Sequence, residues 1–250
     1  SDLNCVKNND KYQLCYINYL ILNAKAAQRT LMAGGDPQPR LKLALNALAA
    51  AQKLGGSFID LEQHAAMSHL VEAADQVRHK RNPESALTSF DAALGRCLGI
   101  AAQDALCRTL AAKAERVRAD WLAVQGQPTA PALTAAAAKA KLATESPETY
   151  PDAWQALAAA QLRLASSAGV KPKAQAAALT GAQDALDKLF ALNPNHAAGR
   201  ASEGELALHR ARTASDASAR HTAAQAAVAA LQRALKLDAF LKQEYEPLLA

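Results

Sequence analysis

Residues 151–194 read PDAWQALAAAQLRLASSAGVKPKAQAAALTGAQDALDKLFALNP and contain one complete structural unit. Glycine ends a helix in the left-handed conformation, and proline opens the next helix in its first turn. Gly169 and Pro172 therefore mark a break between two helices. Helical spacing of apolar residues on both sides of the break supports this interpretation, as in Trp154, Leu157, Leu162, Leu186 and Leu189. The stretch predicts a helical hairpin.

The same break recurs along the chain at a nearly constant interval. Intervals of 46, 45 and 44 residues separate Pro37, Pro83, Pro128 and Pro172. A second, independent series lies in the second helix of each unit, at intervals of 46, 45, 47 and 45 residues, and consists of Ala47, Ala93, Ala138, Ala185 and Ala230. A fixed period of this kind is the mark of a repeat architecture. The chain is therefore expected to contain five hairpins.

The breaks give approximate bounds for each unit. The repeats are expected over residues 10–56, 57–102, 103–147, 148–194 and 195–237. First helices are expected near 10–33, 57–80, 103–125, 149–168 and 195–214. Second helices are expected near 37–54, 83–101, 128–144, 173–192 and 217–237. Residues 238–250 are expected to form a short capping helix that covers the last hairpin with Phe240, Leu241, Tyr245 and Leu248.

The composition agrees with this pattern. The 250 residues include 63 alanines and 35 leucines, but only 7 valines, 4 isoleucines and 11 aromatic residues. Alanine and leucine are the strongest helix formers, whereas the residues that favour strands are scarce. This excludes a β-sandwich, a barrel and a doubly wound sheet. A single hairpin cannot bury its own apolar faces, so the fold class is predicted to be an all-α superhelix, a solenoid of stacked hairpins with a concave and a convex side.

Small residues are expected where the first helices cross closely, at Ala111, Ala158 and Gly204. The tyrosines at positions 12, 16 and 19 lie on one face of the first helix. Core packing is the favoured interpretation of that face, and an exposed docking surface at the end of the stack is the alternative.

The charge distribution argues against a nucleic-acid partner. The formal net charge is +5, but residues 1–81 carry 10 basic and 7 acidic groups, 82–150 carry 7 and 7, and 151–250 carry 11 and 9. Nucleic-acid binding requires basic groups concentrated on one face. The longest apolar run, residues 15–22, is far shorter than the roughly 20 residues of a membrane span. We expect no membrane insertion, and since the chain begins at Ser1 we expect it to be processed or part of something longer.

Four cysteines, Cys5, Cys15, Cys97 and Cys107, form two pairs that are each ten residues apart. This is not a zinc-site or redox-motif spacing. Ten residues along one helix would separate two thiols by about 15 Å, so each pair can bond only across a turn. Two local disulfides and four buried thiols both remain open, and a thiol count under denaturing conditions separates them. Disulfides would indicate an oxidising compartment.

Several segments resemble the tetratricopeptide repeat (TPR) family. The segment Ala185-Leu186-x-x-Leu189-x-x-Leu192 with Asn193-Pro194-Asn195 is similar to the end of that family's second helix and its proline turn. Trp154-x-x-Leu157-Ala158 is similar to the start of its first helix. The family period is about 34 residues, so each unit here carries some twelve extra residues. The resemblance implies a TPR-like solenoid that binds protein or peptide partners.

A narrower resemblance concerns the C-terminal repeats of large bacterial, especially myxobacterial, serine/threonine kinases. Gly34-Gly35-Asp36-Pro37-Gln38-Pro39 looks like a turn found there, and residues 212–237 with Glu244-Tyr245 are similar to the closing unit. The chain carries none of the kinase motifs. The resemblance implies a non-catalytic sensory or docking region of a bacterial signalling protein. A stand-alone periplasmic adaptor and a small-molecule-binding helical domain are the alternatives, and the location is either extracytoplasmic or cytoplasmic.

The candidate site is the groove that first helices line in the resembling family. Aligning the first helices on their leucine–small-residue pair places Gln63, Arg108 and Gln155 at one groove position, with Arg116, Arg163 and His209 one or two turns later. Arginine is well suited to bind a carboxylate or a peptide backbone. We expect no catalytic residues, because no nucleophile has a supporting context. We also expect no cofactor and no metal, since His64 and His69 are five residues apart and do not share a helix face.

Overall fold

A computed structural model describes residues 12–148 and 150–249. The all-α prediction is confirmed, because the described residues form helices and contain no β-strand. Ten helices of more than three turns follow one another in this part of the chain: α1 Gln13–Met32, α2 Gln38–Lys53, α3 Ile59–Arg78, α4 Glu84–Ile100, α5 Ala105–Val124, α6 Ala130–Thr144, α7 Pro151–Ala165, α8 Pro172–Leu192, α9 Ala197–Thr213 and α10 Ala217–Leu237.

Neighbouring helices pack in pairs, α1 on α2, α3 on α4, α5 on α6, α7 on α8 and α9 on α10. The odd-numbered helices, here called the first helices, also pack on one another in the order α1, α3, α5, α7 and α9. The short turns within each pair make its two helices antiparallel, so the first helices run side by side in the same direction. This row of first helices is what positions the candidate site.

The core is built from leucine and alanine, with one large aromatic residue at its centre. Phe90 of α4 is completely buried in a cluster with residues of α1, α2, α3 and α5. Tyr16 and Tyr19 pack against this cluster, whereas Tyr12 is exposed. The favoured packing interpretation therefore describes two of the three tyrosines.

The three small residues predicted at crossings of the first helices are all buried, but the close approach at Gly204 is to the second helix of its own pair. Ala111 and Ala158 are buried on α5 and α7. At Gly204 of α9 an added Cβ would stand 2.6 Å from Cγ of Leu231 on α10. Interiors are close-packed, so a larger side chain at such a position would push the two helices apart. Much of the alanine content thus sets the spacing between helices.

The C-terminal segment, residues 239–249, differs from the single capping helix expected. It consists of a 3-10 turn at Ala239–Leu241, one α-helical turn, α11, at Lys242–Tyr245, and a second 3-10 turn at Glu246–Leu249. Leu241 and Tyr245 are buried in a cluster with α9 and α10, but Phe240 and Leu248 are each 40% exposed. Two of the four residues that were predicted to cover the last hairpin therefore do so. Pro247 lacks an amide hydrogen and accounts for the break in the helix.

A disulfide joins Cys97 of α4 to Cys107 of α5, with the Cα atoms 6.5 Å apart. The bond crosses the turn between the second and third pairs, the only arrangement that the ten-residue spacing permits. Cys15 is also disulfide-bonded, and Cys5 lies outside the described residues. In the part of the chain that the structure describes, no helix is long and apolar enough to cross a membrane.

Candidate binding surface on the first helices

The first helices enclose a cavity of about 610 Å³. Its wall combines basic, acidic and apolar side chains from α1, α3, α5 and the start of α7: Leu22, Lys25, Ala26, Gln28, Arg29, His64, Met67, Leu106, Tyr150 and Asp152. Binding sites for small ligands and peptide side chains have this size and this mixture of apolar walls with a few polar groups. The cavity is therefore the first candidate for a functional site.

A smaller cavity of about 180 Å³ continues this wall toward the C-terminal ends of α1, α3 and α5. Gln28 and Met67 line both cavities, so the two share one surface. Met32, Lys113 and Arg116 are among the residues added by the smaller cavity. The lining of both cavities is called the inner surface below.

His64 lies on the wall of the larger cavity, where one hydrogen bond fixes its ring. Its Nδ1 lies 2.9 Å from the carbonyl oxygen of Asp60, so Nδ1 carries the proton and donates it. Its Nε2 is buried and makes no hydrogen bond to the described residues, and the side chain is only 5% exposed. Burial lowers the pKa of His64, and the nearby cation Lys25 lowers it further. The ring is therefore neutral, and its Nε2 is an unpaired acceptor buried within the wall.

Asp152 anchors one wall of the cavity. Its carboxylate accepts hydrogen bonds from Nε2 of His196 at 2.8 Å and from the hydroxyl of Tyr150 at 3.2 Å. The hydrogen bond from His196 is the main reason that the pKa of Asp152 lies below its usual value, and Lys113 adds to the effect. Nδ1 of His196 accepts the amide hydrogen of Gly199. The pair therefore joins the beginning of α7 to the beginning of α9.

Lys113 and Tyr150 complete the charge pattern of this region. Burial lowers the pKa of Lys113 despite the attraction of Asp152. Burial also raises the pKa of Tyr150, and the neighbouring Asp152 raises it further. Tyr150 thus remains a neutral hydroxyl, and Lys113 is a weakly solvated amine on the wall of the smaller cavity.

A second charged cluster forms around Glu205 of α9. Arg116 of α5 and Arg163 of α7 attract its carboxylate, while Glu244 repels it. The hydroxyl of Tyr245 lies within hydrogen-bonding reach. Arg163 also forms an ion pair with Asp120 of α5. Burial outweighs the arginines and raises the pKa of Glu205 above its usual value.

The raised pKa of Glu205 gives a testable pH dependence. A carboxyl group with a higher pKa in the folded protein binds its proton more tightly there, so its contribution is most favourable at low pH and is lost as pH rises through the folded pKa. Glu205→Gln is therefore expected to raise the melting temperature near pH 7 by about 1–3 °C relative to wild type and to show no difference near pH 4. Thermal unfolding followed by circular dichroism at both pH values measures this. Destabilisation at pH 7 would show that the ionised carboxylate is needed instead.

Of the six residues predicted for the groove, only Arg116 lines the inner surface. Arg163 forms an ion pair with Asp120, and both arginines converge on Glu205. Gln155 lies partly buried on α7. The other three use their polar groups within the protein: Gln63 donates to Asp104 at 3.0 Å, Arg108 donates to the carbonyl oxygen of Leu142 at 2.9 Å, and His209 bonds to Ser166 at 2.7 Å.

Gln63 and Asp152 make similar contacts from different positions in their repeats. Gln63 of α3 binds Asp104, whose carboxylate accepts the amide hydrogen of Cys107 and so caps α5. Asp152 of α7 binds His196, whose Nδ1 accepts the amide hydrogen of Gly199 and so caps α9. Each contact therefore ties the start of one first helix to the cap of the next.

The residues that define the larger cavity were not predicted from the sequence. Lys25, His64, Tyr150 and Asp152 come from different repeats and from different depths along their helices. When the first helices are aligned on their leucine–small-residue pairs, these four residues do not fall at a shared position. The only sequence signal was that each lies on or next to a first helix.

Searches against family models, curated proteins and solved structures return no match to this chain. Among the described residues, one group of three side chains is close enough to bind a metal ion, Cys97, Asp104 and Cys107. Both sulfurs of that group are in the disulfide.

Proposed function

We propose that the paired helices form a TPR-like solenoid of five long hairpins, in which the inner surface is the concave side. Two facts support this proposal. The turns within the first four pairs coincide with the prolines that recur at intervals of 44 to 46 residues, and the first helices pack on one another in chain order. Stacked helix pairs with these contacts form extended concave binding surfaces.

We propose further that the chain is a non-catalytic module that binds a protein or peptide on the inner surface. The observation that carries this proposal is the continuous wall that α1, α3 and α5 supply to both cavities. Along it lie cations at Lys25, Arg29 and Arg116. Such groups can pair with the carbonyl and carboxylate groups of an incoming chain.

The proposed context is a sensory or docking region of a larger bacterial signalling protein, for which a serine/threonine kinase is the leading candidate. The Gly34–Pro39 turn motif supports the kinase resemblance. The Cys97–Cys107 disulfide supports an oxidising, extracytoplasmic location. A stand-alone periplasmic adaptor shares that location, and a kinase domain encoded upstream of Ser1 would exclude it.

A second candidate function is the binding of a small molecule. The larger cavity, at about 610 Å³, falls within the usual size range of ligand pockets, and its wall carries charged groups of both signs at Lys25 and Asp152. Thermal stabilisation by metabolites, with none by peptides, would favour this alternative over the peptide-binding module.

Peptide selection followed by substitution tests the proposed function. Peptides selected from a displayed library on the full chain should bind the double variant Lys25→Ala, Arg116→Ala at least about 100-fold more weakly, because hydrogen bonds to charged groups contribute about 1.5–3 kcal/mol each. Both cations line the inner surface. The matched control is Lys188→Ala, Lys236→Ala, which removes the same charge from exposed positions on α8 and α10. Fluorescence polarisation measures the affinities. Equal affinity of wild type and the Lys25, Arg116 variant would reject these residues as binding groups.

A further inference from the structure

The C-terminal segment contacts both ends of the row of hairpins. Leu241 is 3% and Tyr245 7% exposed, and both pack with Leu231 and Ala234 of α10. Met32, the last residue of α1, packs against the same cluster. The backbone of Gly34, just beyond α1, lies directly against the side chain of Gln243. The segment therefore contacts the last hairpin and also the first, whereas a simple cap would contact the last hairpin alone.

The cluster that receives Leu241 and Tyr245 consists mainly of α9 and α10 side chains, but three residues beside the segment belong to the inner surface. Arg29, which lines the larger cavity, places its guanidinium 5.7 Å from the ring centre of Phe240. Met32 and Arg116 line the smaller cavity, and Arg116 faces Tyr245. A partner that filled both cavities would contact the same three residues. The segment and such a partner would therefore compete for them.

The fit of the segment to this surface is incomplete. Glu244 stands close enough to Glu205 to repel its carboxylate. Two of the segment's apolar residues, Phe240 and Leu248, remain 40% exposed. Its structure is a single α-helical turn between two 3-10 turns, whereas the helices that receive it exceed three turns. Segments with few buried contacts occupy the low end of local stability in a protein.

We propose that residues 239–249 are a displaceable occupant of the inner surface, and that the partner that displaces them is a short helical peptide with a leucine four residues before a tyrosine. The leucine takes the place of Leu241 and the tyrosine that of Tyr245. On a helix, residues four apart share one face, so both side chains reach the surface together. This inference rests on the proposed peptide-binding function and names the class of peptide.

A synthetic peptide with the sequence of residues 238–249 is the probe for this proposal, and a peptide with alanine at the positions of Leu241 and Tyr245 is its control. The attached segment competes at an effective concentration in the millimolar range. The full-length chain should therefore bind the probe weakly, and Tyr245→Ala should bind it at least about 10-fold more tightly. The alanine peptide should bind neither chain. Fluorescence polarisation gives the affinities, and amide hydrogen exchange of residues 239–249 shows whether bound peptide releases the segment.

A second variant keeps the test decisive if Tyr245→Ala fails to fold. Phe240→Ala removes a half-exposed ring that stacks on Arg29, so it should leave the fold intact and strengthen probe binding about 2–5-fold. No gain of binding in either folded variant, or no faster exchange in residues 239–249, would overturn the proposal and make the segment a permanent cap. If library-selected peptides still bind and depend on Lys25 and Arg116, that result would leave the proposed function standing.

Discussion

Replacing Phe90 with alanine is expected to lower the free energy of unfolding by about 3–5 kcal/mol. The ring is fully buried where α1, α2, α3, α4 and α5 meet, and it is one of only eleven aromatic residues in the chain. The surrounding alanines have no side-chain length with which to fill the space that the ring would leave. Urea unfolding followed by circular dichroism measures the change.

The matched control is Phe58→Ala, which removes the same side chain from a position that is 52% exposed. That substitution should cost less than about 1 kcal/mol, as surface changes usually do. Similar losses for the two variants would mean that the first two hairpins do not share the core described above. A small loss at Phe90 alone would lead to the same conclusion.

Removing the Cys97–Cys107 disulfide is expected to cost about 3 kcal/mol, because the bond closes a loop of ten residues in the unfolded chain. The double variant Cys97→Ala, Cys107→Ala keeps both positions small and apolar, and Cys15 retains its own bond. Thermal unfolding without reductant should show a lower midpoint for the variant. Proteolysis of the unreduced wild type should release a fragment that joins the two cysteines. Alkylation of both thiols without reductant would contradict the assignment.

The repeat pattern was the part of the sequence that predicted the fold most directly. Proline and glycine have fixed backbone preferences at helix ends, so their 46-residue intervals locate turns without any knowledge of tertiary contacts. The helix Pro172–Leu192, for example, begins at a landmark proline and ends just before Asn193-Pro194. Composition then excluded strands.

The candidate site was less accessible from sequence, because its residues meet only in the folded chain. Arg116 and Arg163 were predicted from their register on the first helices, and both approach Glu205. No feature of the sequence singled out Glu205. The sequence also did not predict the contact between Met32 and the cluster around Tyr245, some two hundred residues away along the chain. Contacts of this kind depend on how far successive pairs rotate, which local propensity does not determine.

Register also misleads where a polar side chain has a partner within the protein. Gln63 and Arg108 share one repeat position, yet they bind Asp104 and the carbonyl oxygen of Leu142. A helix end leaves unpaired amide and carbonyl groups, and nearby long polar side chains satisfy them. Repeat alignment identifies equivalent positions, but it does not distinguish a ligand contact from such a link between helices.

Photo-crosslinking of a selected peptide is the most direct test of the central claim, that the first helices form the binding surface. A peptide carrying a benzophenone group would be bound to the full chain, irradiated, and mapped by mass spectrometry. We expect cross-links to the inner surface on α1, α3 and α5, with Met32, Met67 and Leu106 as the main sites. Cross-links confined to the second helices α2, α4, α6 and α8 would contradict the claim.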